Sequence, residues 1–264
     1  MADRPSPRLF ELTGRVALVT GAAGRVGRVL AEALCDAGAH VVVNGRRPGP
    51  IAELAESLSR RGREALAVAA DVGCEDDVRR MADTIEARFG RLHVLVNNVT
   101  GNHRARLAEM TVEQWDGALH GALTTMFVCT KVFGTRMAAA GGGSIVNIGS
   151  IYGSVSPDHG IYGDSGYDPS PVYAAGKGGI PNFTRYVATL WGGAGVRCNT
   201  LTIGGVESPW NAHPTFRTNY QRRTPLGRMA RDEDLRGPIV FLASDASQYV
   251  TGTNLHVDGG WTAW

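Results

Sequence analysis

Val16-Ala-Leu-Val-Thr-Gly-Ala-Ala-Gly-Arg-Val-Gly27 is the stretch on which the architecture turns. Its first four residues form a short, unbroken apolar run that stops at Thr20-Gly21, the pattern of a buried strand. Gly27 then opens a segment that carries Leu30 and Leu34 and is closed by Gly38, apolar at fourfold spacing and therefore helical. His40-Val-Val-Val43 is the next strand. Strand, glycine-rich turn, helix and strand make the opening of a parallel βαβ unit.

The alternation continues along the chain. Ile51, Leu54, Ala55 and Leu58 predict a second helix closed by Gly62, and Ala65 to Ala70 a third strand. Val78, Met81, Ile85 and Phe89 predict a third helix stopped by Gly90, followed by a strand at Val94 to Val96. A long helical pattern runs from Trp115 through Leu119, Leu123, Met126 and Phe127 to Met137, and Ser144 to Ile148 is a fifth strand. Then come a helix from Tyr173 to Trp191, a strand from Val196 to Leu201, a helix from Asp232 to Leu242 and a last strand from Asn254 to Val257. Uniformly apolar strands alternating with amphipathic helices imply a parallel sheet covered on both faces. With no linker and no internal repeat, residues 1–264 are read as a single-domain α/β protein, a doubly wound Rossmann-like fold.

Composition narrows the partners. The 264 residues carry 27 basic and 25 acidic side chains, a net charge of +2, without a polybasic run, which argues against nucleic acid or an anionic membrane surface. No apolar stretch approaches the roughly 18 residues that span a bilayer. The N-terminal MADRPSPRLF has no apolar core of the secretory kind. Cys35, Cys74, Cys129 and Cys198 are far apart and form no CxxC pair, so they are read as reduced thiols of a cytoplasmic protein rather than a disulfide or zinc framework. No metal site is expected. The 35 glycines fall in short clusters between the apolar runs, where tight turns and close backbone approaches are needed.

In a doubly wound sheet, ligands bind at the carboxyl ends of the central strands. There Gly21, Gly24 and Gly27 let the backbone approach a pyrophosphate, and the helix N-terminus offers free N–H groups and a partial positive charge. The same turn also serves as a plain strand-to-helix connection. The next strand end favours the ligand reading: after Val43 the chain runs Asn44-Gly-Arg46-Arg47, with no acid before Glu53. An acid at this place bonds the ribose 2′-hydroxyl of NAD, whereas an arginine accommodates a 2′-phosphate. NADP is therefore the cofactor expected.

Tyr173-Ala-Ala-Gly-Lys177 places a phenol and an ammonium one helical turn apart. A free tyrosine, with a pKa near 10, exchanges protons poorly at neutrality, and a neighbouring cation brings that value down. Ser150, at the end of the fifth strand, supplies a hydroxyl able to polarise a carbonyl.

Together these features resemble the short-chain dehydrogenase/reductase family, in the branch whose chains are about this length. The resemblance runs from Val16 to Val257-Asp-Gly-Gly260. It is carried by Thr20-Gly21…Gly27, Asp71-Val72, Asn97-Asn98, Ile148-Gly-Ser150, Tyr173…Lys177, Gly204-Gly-Val206 and Val250-Thr-Gly252. It implies Tyr173 as acid/base, Lys177 as its pKa-lowering and ribose-binding partner, and Ser150 as the carbonyl donor. It assigns Asp71 and Val72 to the adenine, Asn98 and Val99 to the centre of the cofactor, and Gly204 and Val206 to the nicotinamide side. Gly21, Gly24, Arg25, Val26, Asn44 and Arg46 complete the cofactor site. It also implies a homodimer or homotetramer, and apolar residues on two sides of the Leu119 to Met137 helix agree with that.

Four departures from the family pattern stand out. Arg25 stands where TGxxxGxG has glycine, resembling the TGxxxRxG variant of pteridine reductases, and is expected either to point over the phosphates or to use only its backbone. Val99-Thr100 replaces the Ala-Gly of NNAG. Ala122 replaces the asparagine that holds a water in the family's proton relay, a role open to His120 or to another water. Ile203 precedes Gly204 where proline is common.

The 23 positions from Ser150 to Tyr173 exceed the family's usual interval. This insert, 152–171, is expected to wall the substrate pocket with Asp158, His159, Tyr162, Asp164, Tyr167 and Asp168. A lid over 206–225 is expected to close on a ring with Trp210, His213, Phe216 and Tyr220. The tail ending at Trp264 is similar to those of sugar-acid and polyol dehydrogenases, and of oxoacyl thioester reductases. The reading is an NADP(H)-dependent oxidoreductase interconverting a ketone and a secondary alcohol on a small polar molecule that is sugar-, polyol- or oxoacyl-like. The alternatives are a nucleotide-binding sensor or scaffold of the same fold with little turnover, and an epimerase or dehydratase using the same Tyr–Lys pair.

Overall fold

The computed structural model describes residues 6–264 apart from 102 and 104, so part of the N-terminal stretch read above (1–5) and the Trp210 side chain lie outside the described residues. Strand β1 (Val16–Val19) is buried at every position and sits in the interior of the sheet, as its unbroken apolar run requires. Around it stand β2 (His40–Gly45), β3 (Ala65–Ala69), β4 (Val94–Asn97), β5 (Gly143–Ile148), β6 (Val196–Ile203) and β7 (Asn254–Val257). The order is β3-β2-β1-β4-β5-β6-β7, and every pairing is parallel. The two edge strands, β3 and β7, have no fully buried position.

Side chains alternate across β1, and the two sets belong to separate cores. Ala17 and Val19 pack with α1 (Arg25–Asp36), α2 (Pro48–Ser59) and α8 (Asp232–Ala243) through Leu30, Leu34, Leu54, Leu235 and Ile239. Val16 and Leu18 pack with α3 (Glu75–Phe89), α5 (Thr125–Ala139) and α6 (Pro171–Trp191) through Val78, Met81, Ile85, Phe133 and Val187. This is the doubly wound arrangement expected from the sequence. Its strand order reverses between β1 and β4, which opens a crevice above their carboxyl ends.

Two local features were not foreseen. The long helix expected from Trp115 to Met137 is α4 (Val112–Leu119) and α5 joined by a π-helical segment, His120–Thr124. A π turn spends one extra residue and slips the register by one position, too small a change to show in an apolar pattern that spans the whole segment. The lid region contains a helix, α7 (Pro214–Arg223), whose polar sequence hides it; only Phe216 and Tyr220 are buried. Among the described residues no helix is long and apolar enough to cross a membrane, and no group of three potential metal ligands is assembled.

Candidate active site

The turn after β1 is closed by backbone contact. A Cβ at Gly27 would lie 2.5 Å from the Gly21 carbonyl oxygen and 2.8 Å from the Asn98 side chain, so only glycine lets α1 start this close to β4. Gly21 itself has φ +60°, a conformation natural to glycine. The Asn98 amide donates to the Thr20 and Gly21 carbonyls at 3.0 and 3.2 Å, tying the ends of β1 and β4 together.

Above this turn lies a cavity of about 1160 Å³, and every catalytic and cofactor-site residue expected from the sequence reaches its wall. One end holds Gly21, Gly24, Arg25, Val26, Asn44, Arg46, Asp71 and Val72; Asn98 and Val99 form the middle; Ser150, Tyr173, Lys177, Gly204 and Val206 form the far end. A smaller recess of about 430 Å³ continues along Gly21, Ala23, Gly24, Gly45, Arg46 and Arg47. Val206 is pinned by a bridge to Ala230, and the Gly204 N–H donates to the Val257 carbonyl at 3.0 Å.

Several side chains are committed differently from the expectation. The Arg25 guanidinium forms an ion pair with Asp232 at 2.8 Å, at the start of α8, and does not hang free over the turn. The Asn44 amide donates to the Val68 and Ala70 carbonyls, so it braces β2 against the end of β3. The Asp71 carboxylate accepts from the Gly73 N–H at 2.9 Å. Arg46 and Arg47 form no ion pair among the described residues, which leaves two cations on the wall of the recess.

At the other end, Ser150 Oγ accepts the Tyr152 N–H at 3.3 Å and is hydrogen-bonded to the Tyr173 phenol. Burial pushes the Tyr173 pKa up, and the Ser150 hydroxyl opposes that shift. Lys177 is only 4% exposed, and its Nζ donates to the Ile148 carbonyl at 2.8 Å and lies 5.7 Å from the Tyr173 ring centre. Burial without a carboxylate partner lowers the lysine to about 8. The contact with Tyr173 that opposes burial therefore comes from serine, while the Lys177 ammonium stands further away, near the ring.

Ala122 requires a correction. It is 3% exposed and is not part of the cavity wall; its Cβ would stand 2.9 Å from a Cβ placed on Gly176, between Tyr173 and Lys177 on α6. Ala122 thus lies in the packing between the π segment and α6. The His120 ring reaches the cavity wall and lies beside Gly73, at the Asp71 end. Gly176→Ala is expected to cost about 1–3 kcal/mol, since neither backbone can yield cheaply. Urea denaturation checks this; an unchanged midpoint would show that the two helices are not in firm contact.

The insert walls the cavity less than its sequence implies. Of its six polar candidates only Tyr162 lines the cavity. Asp158 faces Arg223 at 3.7 Å and Asp168 faces Arg106 at 3.8 Å, while Asp164 bonds the Thr215 hydroxyl. Tyr167 packs on His213 and Phe216. Phe216 and Tyr220 do line the cavity, as expected of the lid region, but they are fixed there: with Ile151, Ile161, Met229 and Trp261 they form a third core, in which Tyr220 stacks on Trp261 at 4.4 Å. Tyr152, which sequence reading passed over, also lines the cavity. Its position two residues after Ser150 was the available signal.

Comparison with known proteins agrees with this layout. The family profile described as "Enoyl-(Acyl carrier protein) reductase" matches residues 21–262. The cis-4-hydroxycyclohexanecarboxylate dehydrogenase of Sinomonas cyclohexanicum is 39% identical over 256 residues, covering 94% of this chain and 97% of that protein. The D-threitol dehydrogenase of Mycolicibacterium smegmatis is 35% identical, covering 96% of this chain and 95% of its own length. A gluconate 5-dehydrogenase from Burkholderia cenocepacia, crystallised in complex with NADP and tartrate, superposes with a TM-score of 0.90 at 32% identity, covering 98% of this chain and all of that one (100%).

Proposed function

The chain belongs to the short-chain dehydrogenase/reductase family, and on that footing we propose that it is an NADP(H)-dependent oxidoreductase interconverting a ketone and a secondary alcohol on a small polar substrate. One observation carries the reading. The Ser150 hydroxyl, the Tyr173 phenol and the buried Lys177 ammonium meet at one end of a cavity whose other end is a glycine turn flanked by Arg46 and Arg47, which have no ion-pair partner among the described residues.

The residues present fit a dinucleotide. Gly21, Gly24 and the N-terminus of α1 would receive the pyrophosphate, Asp71 and Val72 the adenine, and Asn98 and Val99 the centre of the molecule. Arg46, at an end of β2 that offers no acid, would receive a 2′-phosphate. When bound, NADP(H) supplies or takes up the hydride. The protein handles the oxygen. Ser150 and Tyr173 donate to the carbonyl oxygen, and Tyr173 delivers the proton as the alcohol forms or removes it in the reverse direction. The Lys177 charge favours the phenolate through space. The relatives named for a hydroxycyclohexane acid and for threitol support a hydroxylated or alicyclic substrate.

The direct test is NADPH consumption on a panel of small ketones. Failure on every member, with NADPH nonetheless bound, would favour a sensor. Cofactor choice has its own test: Arg46→Ala should weaken NADPH about tenfold or more while changing NADH less than twofold, as a charge-assisted phosphate contact requires. Equal losses for both cofactors would remove the phosphate assignment.

A further inference from the structure

We propose that the Tyr152–Tyr162 hydroxyl pair is a specificity element that binds a second, uncharged hydroxyl of the substrate beside its reacting carbon. This rests on the reading of the cavity as the site of ketone and alcohol interconversion.

The two phenols are hydrogen-bonded to each other at 2.6 Å, and both line the cavity. Neither hydroxyl has another protein partner among the described residues. Two phenols hold two hydroxyl hydrogens, and their mutual bond consumes one. The pair therefore presents one donor, together with acceptor lone pairs, to whatever enters the cavity. Burial pushes both phenols up in pKa, so both hydrogens are in place at neutral pH. Ionisation of Tyr173 would raise both further, which puts the pair within electrostatic reach of the acid/base residue.

The rings are held in place. Tyr152 follows Ser150 in a 3-10 turn, and its backbone N–H is the donor to Ser150 Oγ, so its position is tied to the reacting end of the cavity. Tyr162 comes from the insert and lies against Phe216 of α7 with ring centres 5.4 Å apart. The Asn219 amide of the same helix donates to the Ile161 carbonyl at 3.3 Å. The insert and α7 together thus hold this polar pair on the cavity wall.

Charge decides the class of ligand. The nearby Arg223 and Arg106 face Asp158 and Asp168, so among the described residues the insert offers no free cation beside the phenols. A substrate carboxylate placed there would lack a counter-charge. A hydroxyl, which both donates and accepts, satisfies the pair.

The test uses the NADP-loaded protein and two probes, cis-1,2-cyclohexanediol and cyclohexanol, titrated calorimetrically. The wild type should bind the diol about tenfold more tightly, the worth of a well-made buried hydrogen bond. Tyr152→Phe and Tyr162→Phe keep the ring packing and each leaves one phenol with its hydrogen free, so each single variant should keep part of the preference, and the double variant should bring the ratio to within twofold of unity. Absence of preference in the wild type, or a preference that survives both substitutions, overturns the proposal. In parallel, NADPH-dependent reduction of 2-hydroxycyclohexanone and cyclohexanone reports on the underlying activity. If neither ketone is reduced while the diol preference persists and depends on the phenols, the pair stands and the oxidoreductase reading falls.

Discussion

Tyr173→Phe is expected to lower kcat for ketone reduction by about 10²–10⁴-fold, the range associated with a positioned proton donor. NADPH affinity and the thermal midpoint should change little. The reason lies in what the hydroxyl touches. Tyr173 is half-buried on α6, and its hydroxyl bonds Ser150 at the cavity wall, so phenylalanine keeps the ring and removes only the group that faces the substrate. Ser150→Ala supplies a second readout with a definite sign. Ser150 opposes the burial-driven rise of the Tyr173 pKa, so its loss leaves the phenol less acidic. Alcohol oxidation, which requires the phenolate, should then begin its rise at higher pH than in the wild type. Steady-state rates across pH decide the matter. A phenylalanine variant within threefold of wild type, or a serine variant whose basic limb does not move upward, would sink the assignment.

How far these roles could be read without coordinates depended on the kind of signal. The doubly wound sheet was legible because burial on both faces writes itself as continuous apolar runs, seen in β1 and β4. The cavity wall was legible because glycine at a backbone crossing and paired functional groups at helical spacing are local patterns, as at Gly21 to Gly27 and Tyr173 to Lys177. Pairings between distant segments left no such mark. Nothing near Arg25 announces Asp232 as its partner, and nothing near Ala122 announces that Gly176 lies over it. The insert was misjudged for the same reason. Its tyrosines and aspartates look like ligand-binding groups along the chain, but most are spent on α7, a helix whose polar sequence concealed it.

Lys177 carries the second large expectation, and here stability and activity should move in opposite directions. Its ammonium is buried and donates to the Ile148 carbonyl, with no carboxylate beside it among the described residues. A lysine whose pKa falls from 10.5 to about 8 on folding costs the apoprotein about 3 kcal/mol wherever both states are protonated. Below pH 8 that cost is complete and constant. Between the folded and unfolded values the unfolded chain binds more protons, so this contribution to stability rises with pH and the cost disappears above the unfolded value. Lys177→Met removes the charge at similar length but leaves the Ile148 carbonyl without its donor, an offset of about 1–3 kcal/mol. The net expectation is an apoprotein stabilised by up to about 2 kcal/mol at pH 7, with an advantage over wild type that shrinks steadily from pH 8 to pH 10.5. The same variant should lose at least about 10²-fold in kcat, because the phenol loses the cation that favours its ionised form. Urea unfolding of both proteins across this pH range, alongside turnover, is the measurement. A variant less stable than wild type at pH 7, or a stability gap that does not change with pH, would mean that the lysine is not held against its solvation. The functional cation would then have to be sought elsewhere on the cavity wall.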